Sequence, residues 1–263
     1  GERTLLELLQ HLDQNKSVEA IAGIVYTSND AIQVNPKRKV LEDLDSLPQP
    51  AWDLVDIEAY RAVWKQSNQE FTLNLATTRG CPYKCNWCAK PIYGNRYNAH
   101  SPAYIVEEIA YIKQHFGVTR FWMCDDIFGL KPNWVQEFNT ALKKNKLHIK
   151  YYIQSRVDLL LKEDTIDALA ASGLEEAWVG AESGSQKILD AMDKGTKLEE
   201  IYEATHLLQQ KKIRVALFLQ FGYLTENQED IQKTIAMVKK ILPDNIGISV
   251  SYPLPGTKFY DKV

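Results

Sequence analysis

Between Thr77 and Ile92 the chain reads TTRGCPYKCNWCAKPI, and three of its four cysteines, Cys81, Cys85 and Cys88, fall inside eight residues. The intervals are three residues, then two. A structural zinc ion is closed by four ligands. Here the fourth would be Cys124 or a histidine such as His100, and neither stands at a zinc-finger spacing. A disulfide would strand an odd thiol and close only a short loop, where it gains little. Three thiolates suit a cubane iron–sulfur cluster, with one iron left open to a small molecule. Zinc and chance clustering are the alternatives on spacing alone.

The elements around this loop follow a repeating order. FTLNLATT precedes it as a strand. Ser101-Pro102 then starts a helix, with Ser as N-cap and Pro in the first turn, carrying Ile105, Ile109, Ile112 and Phe116 on one stripe up to Gly117. TRFWMCDD, HIKYYIQSR, EEAWVGAE, RVALFLQFG and NIGISVSY read as further strands, separated by helical patterns at about 132–144, 163–172, 185–192, 197–211 and 228–242. Strand and helix in alternation imply a parallel sheet, closed partly into a barrel or open and doubly wound. Either way, function is expected at the C-terminal ends of the strands. The cysteine loop lies at that end, as do Asp125-Asp126, Arg156, Glu182-Ser183 and Gly222.

Upstream, residues 3–35 read as an amphipathic helix with Leu5, Leu8, Leu9 and Leu12 on one face, a strand over 20–26, a turn at Ser28-Asn29-Asp30 and a short strand to Val34. Pro36, Pro48 and Pro50 forbid a regular helix across NPKRKVLEDLDSLPQPAWDLVD. Its Leu44, Leu47, Trp52, Leu54 and Val55 make it an ordered connector rather than a free linker, and a domain boundary is placed at 36–70. The expectation is a chain cut from a longer polypeptide.

Composition sets further bounds. The chain of 263 residues is 45% hydrophobic and 25% charged with a net charge of -3, ordinary for a globular protein and unlike a broad nucleic-acid surface. No apolar run approaches the roughly 20 residues that span a bilayer. Four cysteines make no disulfide framework and suggest a reducing, cytoplasmic setting. Cys124, mid-strand beside Trp122 and Met123, reads as a buried core thiol. His11, His115, His148 and His206 read as structural. The lysines of KKNK and QQKKIR sit at helix C-termini, where cations favour the dipole.

Cys81-Pro-Tyr-Lys-Cys85-Asn-Trp87-Cys88 resembles the signature of radical S-adenosylmethionine (SAM) enzymes. GAESGSQKILDAMDKGT (180–196) is similar to that family's fourth-strand ribose and amino-group motif, FGYLTENQEDIQKT (221–234) to its G-x-P-x-E-T-x-E-D stretch, and YPLPGTKFYDKV (252–263) to the P-L-P-G-T-x-x-Y of a cobalamin-binding subgroup. Tyr223-Leu224 stands where the family often has x-Pro. The resemblance implies a partial (β/α)6 barrel over 71–263, a remnant of a cobalamin-binding, Rossmann-like domain over 1–35, and a connector over 36–70. Further, it implies Cys81, Cys85 and Cys88 as ligands of a 4Fe-4S cluster and SAM on the open iron. Reductive cleavage of SAM would then lead to hydrogen abstraction from a small-molecule substrate, with electrons from a flavodoxin or ferredoxin. The D-x-H-x-x-G cobalamin anchor is absent from these residues, so cobalamin is expected to be held mainly upstream.

The same resemblance assigns side chains. Trp87 would cover the cluster beside the adenine, with a core aromatic as the alternative. Glu182, assisted by Ser183, would accept from the SAM ammonium or ribose, the alternative being a buried salt bridge. Arg156 would meet the SAM carboxylate, or else pair with Asp158 or Asp126. Gly222 would admit the backbone close to the adenine, or be a turn glycine. Asp125 and Asp126 would face substrate, or be solvated turn carboxylates. Methyl transfer and a ring-forming or oxidative step of the anaerobic magnesium-protoporphyrin cyclase kind are the main branches of activity. A cobalamin-independent enzyme, such as a tRNA-modifying methylthiotransferase, and a zinc-stabilised binding module are the rivals.

Overall fold

Short runs rich in β-branched and aromatic residues pair from Leu73 onward, each returned to the sheet by a helix with one apolar stripe. The computed structural model describes residues 1–67, 69–89 and 94–263. Lys90, Pro91 and Ile92, at the end of the cysteine motif, lie outside the described residues. The chain divides into two compact units, Gly1–Glu42 and Asp43–Val263. No helix among the described residues is long and apolar enough to cross a membrane.

In the first unit, helix α1 (Glu2–Asp13) is followed by the antiparallel strands β1 (Val25–Ser28) and β2 (Ala31–Val34). Asn29 and Asp30 form their two-residue turn, both at positive φ (50° and 58°) as a type I′ turn demands. The strand expected over 20–26 begins only at Val25. Asn35 donates through Nδ2 to the carbonyls of Glu19 and Ile21, and Gly23 is left-handed, so 19–24 is held as an irregular turn.

In the second unit, six strands lie parallel and side by side in chain order: β3 (Leu73–Leu75), β6 (Arg120–Met123), β7 (Lys150–Ser155), β8 (Leu174–Glu182), β9 (Arg214–Phe221) and β10 (Asn245–Val250). A doubly wound sheet must reverse its strand order at a switch point. This one never reverses, so right-handed crossovers carry every helix to the same face. The sheet is concave on its other face. Trp122 of β6 reaches Trp178 of β8 at 6.4 Å between rings, across β7, and Asn245 of β10 donates to Glu176 of β8 at 3.0 Å, across β9. Strands two apart in a flat sheet are separated by roughly 9.6 Å. The fold is therefore a partial (β/α)6 barrel, with β3 and β10 as its edges.

The helices α3 (Pro102–Phe116), α4 (Trp134–Lys144), α5 (Val157–Leu160), α6 (Thr165–Ser172), α7 (Gln186–Ala191), α8 (Leu198–Gln210) and α9 (Gln228–Ile241) make the crossovers. α3 forms as its sequence predicts: Ser101 Oγ accepts from Tyr104 N, Ile105, Ile109 and Ile112 are buried, and Gly117 ends it in the left-handed region. Between helices and sheet, Phe138 is fully buried and its ring meets Trp134, Phe128 and Tyr151.

Three local readings change. Within the stretch read as a connector, helix α2 (Ile57–Gln66) forms, capped by Asp56, whose Oδ1 accepts from Ala59 N. The same stretch is tied to α3, with Trp52 Nε1 donating to Glu108 Oε1 at 2.9 Å. Cys124 is exposed rather than a core thiol, because β6 stops at Met123 and leaves the next residue at the open rim. As for the strand read over 71–78, it pairs with β6 only through Leu75; Thr78–Arg79 (β4) then pairs antiparallel with Asn98–Ala99 (β5).

Phe138→Ala leaves a cavity under the sheet and is expected to cost about 3–5 kcal/mol of stability. Urea denaturation monitored by tryptophan fluorescence reads this directly, and a loss under about 1 kcal/mol would show that this aromatic layer is not the core.

Candidate active site

The cysteine loop leaves the sheet under tight control. Asp125, directly beyond β6, accepts from Thr77 N (2.8 Å) and Thr78 N (2.7 Å) through Oδ1 and from Thr77 Oγ1 (2.5 Å) through Oδ2. It is 1% exposed. Asp125 is thus a staple across two neighbouring strand ends, and the substrate-facing role expected of it is corrected: its oxygens are consumed by the backbone of the loop they anchor. Burial lifts its carboxyl from 3.8 to about 6, against the pull of those hydrogen bonds.

Beyond the left-handed Gly80, Cys81, Cys85 and Cys88 line one wall of a cavity of about 520 Å³, beside Tyr83, Trp87 and Ala89. Burial raises the Cys81 thiol, as do Cys85, Cys88 and the Asp126 carboxylate. Four acidic groups facing one space repel each other's charge, and iron bound among them reverses that balance. Among the described residues, no three His, Cys, Asp or Glu side chains converge tightly enough for one ion. Three thiol side chains lining one cavity fit a thiolate-ligated group, and a cubane cluster would give each thiolate its own iron.

Across the cavity stand Gln154, Ser155 and Arg156 from the end of β7, Trp178, Gly180 and Glu182 from β8, Phe218 from β9 and Ser249 from β10. Glu182 is aimed inward by a kink. The β8–β9 register slips between Gly180 and Glu182, and Glu182 has φ +59°, a conformation with a cost for a non-glycine residue. Its Oε1 lies 2.7 Å from Lys194 Nζ, with both side chains 7% exposed. A Cβ on Gly180 would stand 2.7 Å from that Nζ and 3.0 Å from Glu182 Oε1, so a larger residue here would displace the pair's charged ends. The buried salt bridge weighed for Glu182 is what forms, with Lys194 as the partner.

Arg156 is also spoken for. Its Nε donates to Asp158 Oδ1 at 2.8 Å, its Nη2 to Lys194 O and Thr196 Oγ1, and its guanidinium stacks 3.8 Å above the Tyr83 ring. The alternative pairing with Asp158 is the one realised. Ser183 does not reach the cavity: fully buried, its hydroxyl meets Thr234 Oγ1 and accepts from Ser185 N, shaping the start of α7. Gly222, at φ +77°, donates its N–H to Glu226 Oε2 and is a turn glycine off the cavity wall. Asp126 does line the cavity, and partial burial raises its carboxyl. Trp87 lines it too, packing on the small apolar cluster of Ile188, Met192, Tyr223 and Phe259. Its buried Nε1 has no hydrogen-bond partner among the described residues.

Lys194, Tyr83 and Gly180 were not singled out from sequence. Lys194 stands twelve residues past Glu182, beyond a short helix; no helix or strand period joins the two. The turn that brings it back is encoded by Asp193 (φ 52°) and Gly195 (φ 65°), and the only sequence trace of it is the D-K-G triplet.

A parallel barrel that gathers three thiols and a buried ion pair around one rim cavity defines a class: enzymes that hold a thiolate-ligated group beside a charged ligand. The sequence profile of the radical SAM superfamily matches residues 75–238, and the chain belongs to that superfamily. An uncharacterized methyltransferase of Pyrococcus horikoshii is 26% identical over 262 residues, 99% of this chain and 56% of that protein. The anaerobic magnesium-protoporphyrin IX monomethyl ester cyclase of Rubrivivax gelatinosus is 26% identical over 269 residues, 100% of this chain and 48% of that one. The chain therefore spans about half the length of these relatives. Among solved structures, the radical SAM methyltransferase TsrM of Kitasatospora setae, with cobalamin and a [4Fe-4S] cluster bound, matches with a TM-score of 0.81 at 19% identity, over 98% of this chain and 53% of TsrM. That likeness is one of fold.

The Asp125 staple generates a pH test. Its folded pKa lies above its unfolded value, so folding takes up a proton between roughly pH 4 and 6, and this group's contribution to stability falls as pH rises through that window. The fall amounts to about 3 kcal/mol for a shift from 3.8 to about 6. Asp125→Asn keeps the acceptor for both backbone N–H groups and cannot ionise. Chemical denaturation at pH 4 to 7 is expected to show the variant-minus-wild-type difference moving in the variant's favour across the window. A difference independent of pH contradicts the role of burial here.

Proposed function

We propose that Cys81, Cys85 and Cys88 ligate a 4Fe-4S cluster whose fourth iron takes SAM, and that the protein carries out radical chemistry on a small organic molecule. One observation carries this reading: three cysteines line one cavity together with Trp87 and the buried Glu182–Lys194 pair. When bound, the cluster supplies the electron that cleaves SAM and so generates a hydrogen-abstracting radical.

The chain's own residues do the rest. Glu182 is an acceptor for the SAM ammonium or a ribose hydroxyl. Lys194 lines the cavity paired to Glu182 and would meet a carboxylate there by sharing or exchanging that partner, while Arg156 is held by Asp158, Thr196 and a backbone carbonyl. Trp87 and Tyr83 exclude water from the thiolate side, and Trp178 and Phe218, 4.7 Å apart, form an aromatic floor. Gly247 sits under those rings, where a Cβ would meet them at 3.1–3.2 Å.

The substrate class is assigned to methyl transfer or to a cyclase-type oxidative step, as the names of the two relatives support. Cobalamin is the proposed second cofactor, supported by its presence in TsrM. Residues 1–35 are then read as the tail of that cofactor's domain, 36–70 as the connector and 71–263 as the radical core. A flavodoxin- or ferredoxin-type donor in a reducing cytoplasm fits four cysteines of which none forms a disulfide.

Anaerobic reconstitution with iron and sulfide should load the wild-type protein with about four iron atoms and a broad visible absorbance. Cys85→Ala is expected to lose both, along with SAM cleavage, while its far-ultraviolet circular dichroism stays that of the wild type. Colourless protein carrying stoichiometric zinc, or SAM cleavage that survives the substitution, overturns the assignment.

A further inference from the structure

Building on the cluster reading above, we propose that Asn86 is the positioning residue of the cysteine loop, holding its thiolates in register with the Glu182–Lys194 wall. Asn86 stands between Cys85 and Cys88, is 2% exposed and is absent from the cavity lining. A polar side chain in that place costs free energy unless each of its groups is bonded, and here each is. The backbone N–H donates to Met192 O at 3.1 Å, and the carbonyl accepts from Phe259 N at 3.0 Å. Side-chain Nδ2 donates to Ala191 O at 2.7 Å and to Asp193 Oδ2 at 3.2 Å. Oδ1 accepts from Tyr223 OH at 2.6 Å.

These partners fix the amide's orientation. Flipped, Oδ1 would face a carbonyl and a carboxylate, both acceptors, so only one rotamer satisfies the site. Tyr223 is held in turn by stacking on Phe259, with rings 4.8 Å apart at 19°, and its hydroxyl also lies 3.0 Å from Ala191 O.

What makes this more than a loop contact is the turn it grips. Ala191, Met192 and Asp193 close α7, and the next residue is Lys194, whose Nζ meets Glu182 and whose carbonyl accepts from Arg156. One turn, with Asp193 at φ 52°, therefore holds the cysteine loop on one side and offers the cavity its cation on the other. The C-terminal segment enters through Phe259, so the P-L-P-G-T stretch is tied to the same clamp. Cysteine side chains alone cannot set where a cluster sits against a second ligand; their backbone must be fixed relative to that ligand's other contacts.

The test compares wild type, Asn86→Ala, Tyr223→Phe and the double variant in the intact protein after anaerobic reconstitution. Iron release to an excess of chelator, the SAM dissociation constant by equilibrium dialysis, and Tm are measured. Asn86→Ala keeps all three cysteines and is expected to assemble the cluster, yet to release iron about tenfold faster and to bind SAM about tenfold more weakly. Tyr223→Phe keeps the ring stack, and so carries the test even where Asn86→Ala folds poorly; it should shift both readouts in the same direction. The double variant should lose less than the sum of the two single variants, because the bond between hydroxyl and amide is then removed only once and only the hydroxyl's bond to Ala191 O is lost in addition. A lowered Tm with wild-type iron release and SAM binding overturns the positioning role and leaves a merely structural one. Wild-type protein that holds no cluster sinks the proposed function, and this inference with it; wild-type cluster with unchanged variants sinks only the role given to Asn86.

Discussion

Parallel pairing in unbroken chain order is the constraint on which the rest depends. Because the strand order never reverses, every strand ends at the same rim and every helix returns on the same outer face. The outer face can then be wholly apolar, with Phe121, Met123, Tyr151, Ile153, Ala177 and Val179 buried beneath the helices. The concave face is left with a different duty. Trp122, Tyr152, Trp178 and Phe218 pack there as aromatics, and above them the strand ends and the cysteine loop enclose an open space. A cavity at the rim is the geometric consequence.

Polar groups brought to that rim must be satisfied without water, and the structure does this in three ways. Asp125 turns away from the cavity and takes two backbone N–H groups and a hydroxyl. Arg156 is absorbed by Asp158, a carbonyl and an aromatic face. Glu182 and Lys194 pair with each other on the cavity wall. A buried ion pair gains little net stability over apolar packing, and the kinked, left-handed backbone at Glu182 carries a cost of its own; both fit the ligand role proposed for this wall.

The turn after α7 couples the two chemical halves of the site. It is short, partly left-handed and bonded on three sides, to the cysteine loop, to Arg156 and to Glu182. Each of these contacts satisfies a polar group that burial would otherwise penalise, which supports the positioning role proposed for the turn. The thiolate loop itself lacks regular structure and would otherwise be the least determined part of the rim.

The cysteine trio, the alternation of strand and helix and the C-terminal location of the site were all legible in the sequence, because each rests on a local signal: a spacing, a period of apolar residues, a capping residue. The partial barrel was not separable from a doubly wound sheet on those signals, since both use the same units and differ only in which strands become neighbours. The roles of individual rim residues were the least legible. Type and position along a strand place Asp125, Arg156, Glu182 and Ser183 at the rim, but one residue of twist turns a side chain from cavity to backbone, as happens at Asp125, and one early strand end leaves Cys124 exposed instead of in the core. By itself, then, the sequence determined what kinds of groups reach one face of the protein. Only the tertiary structure decided which of them remain available there, because the partners that consume Asp125 and Arg156, and the lysine that meets Glu182, are brought close by folding across sequence distances that no local pattern spans.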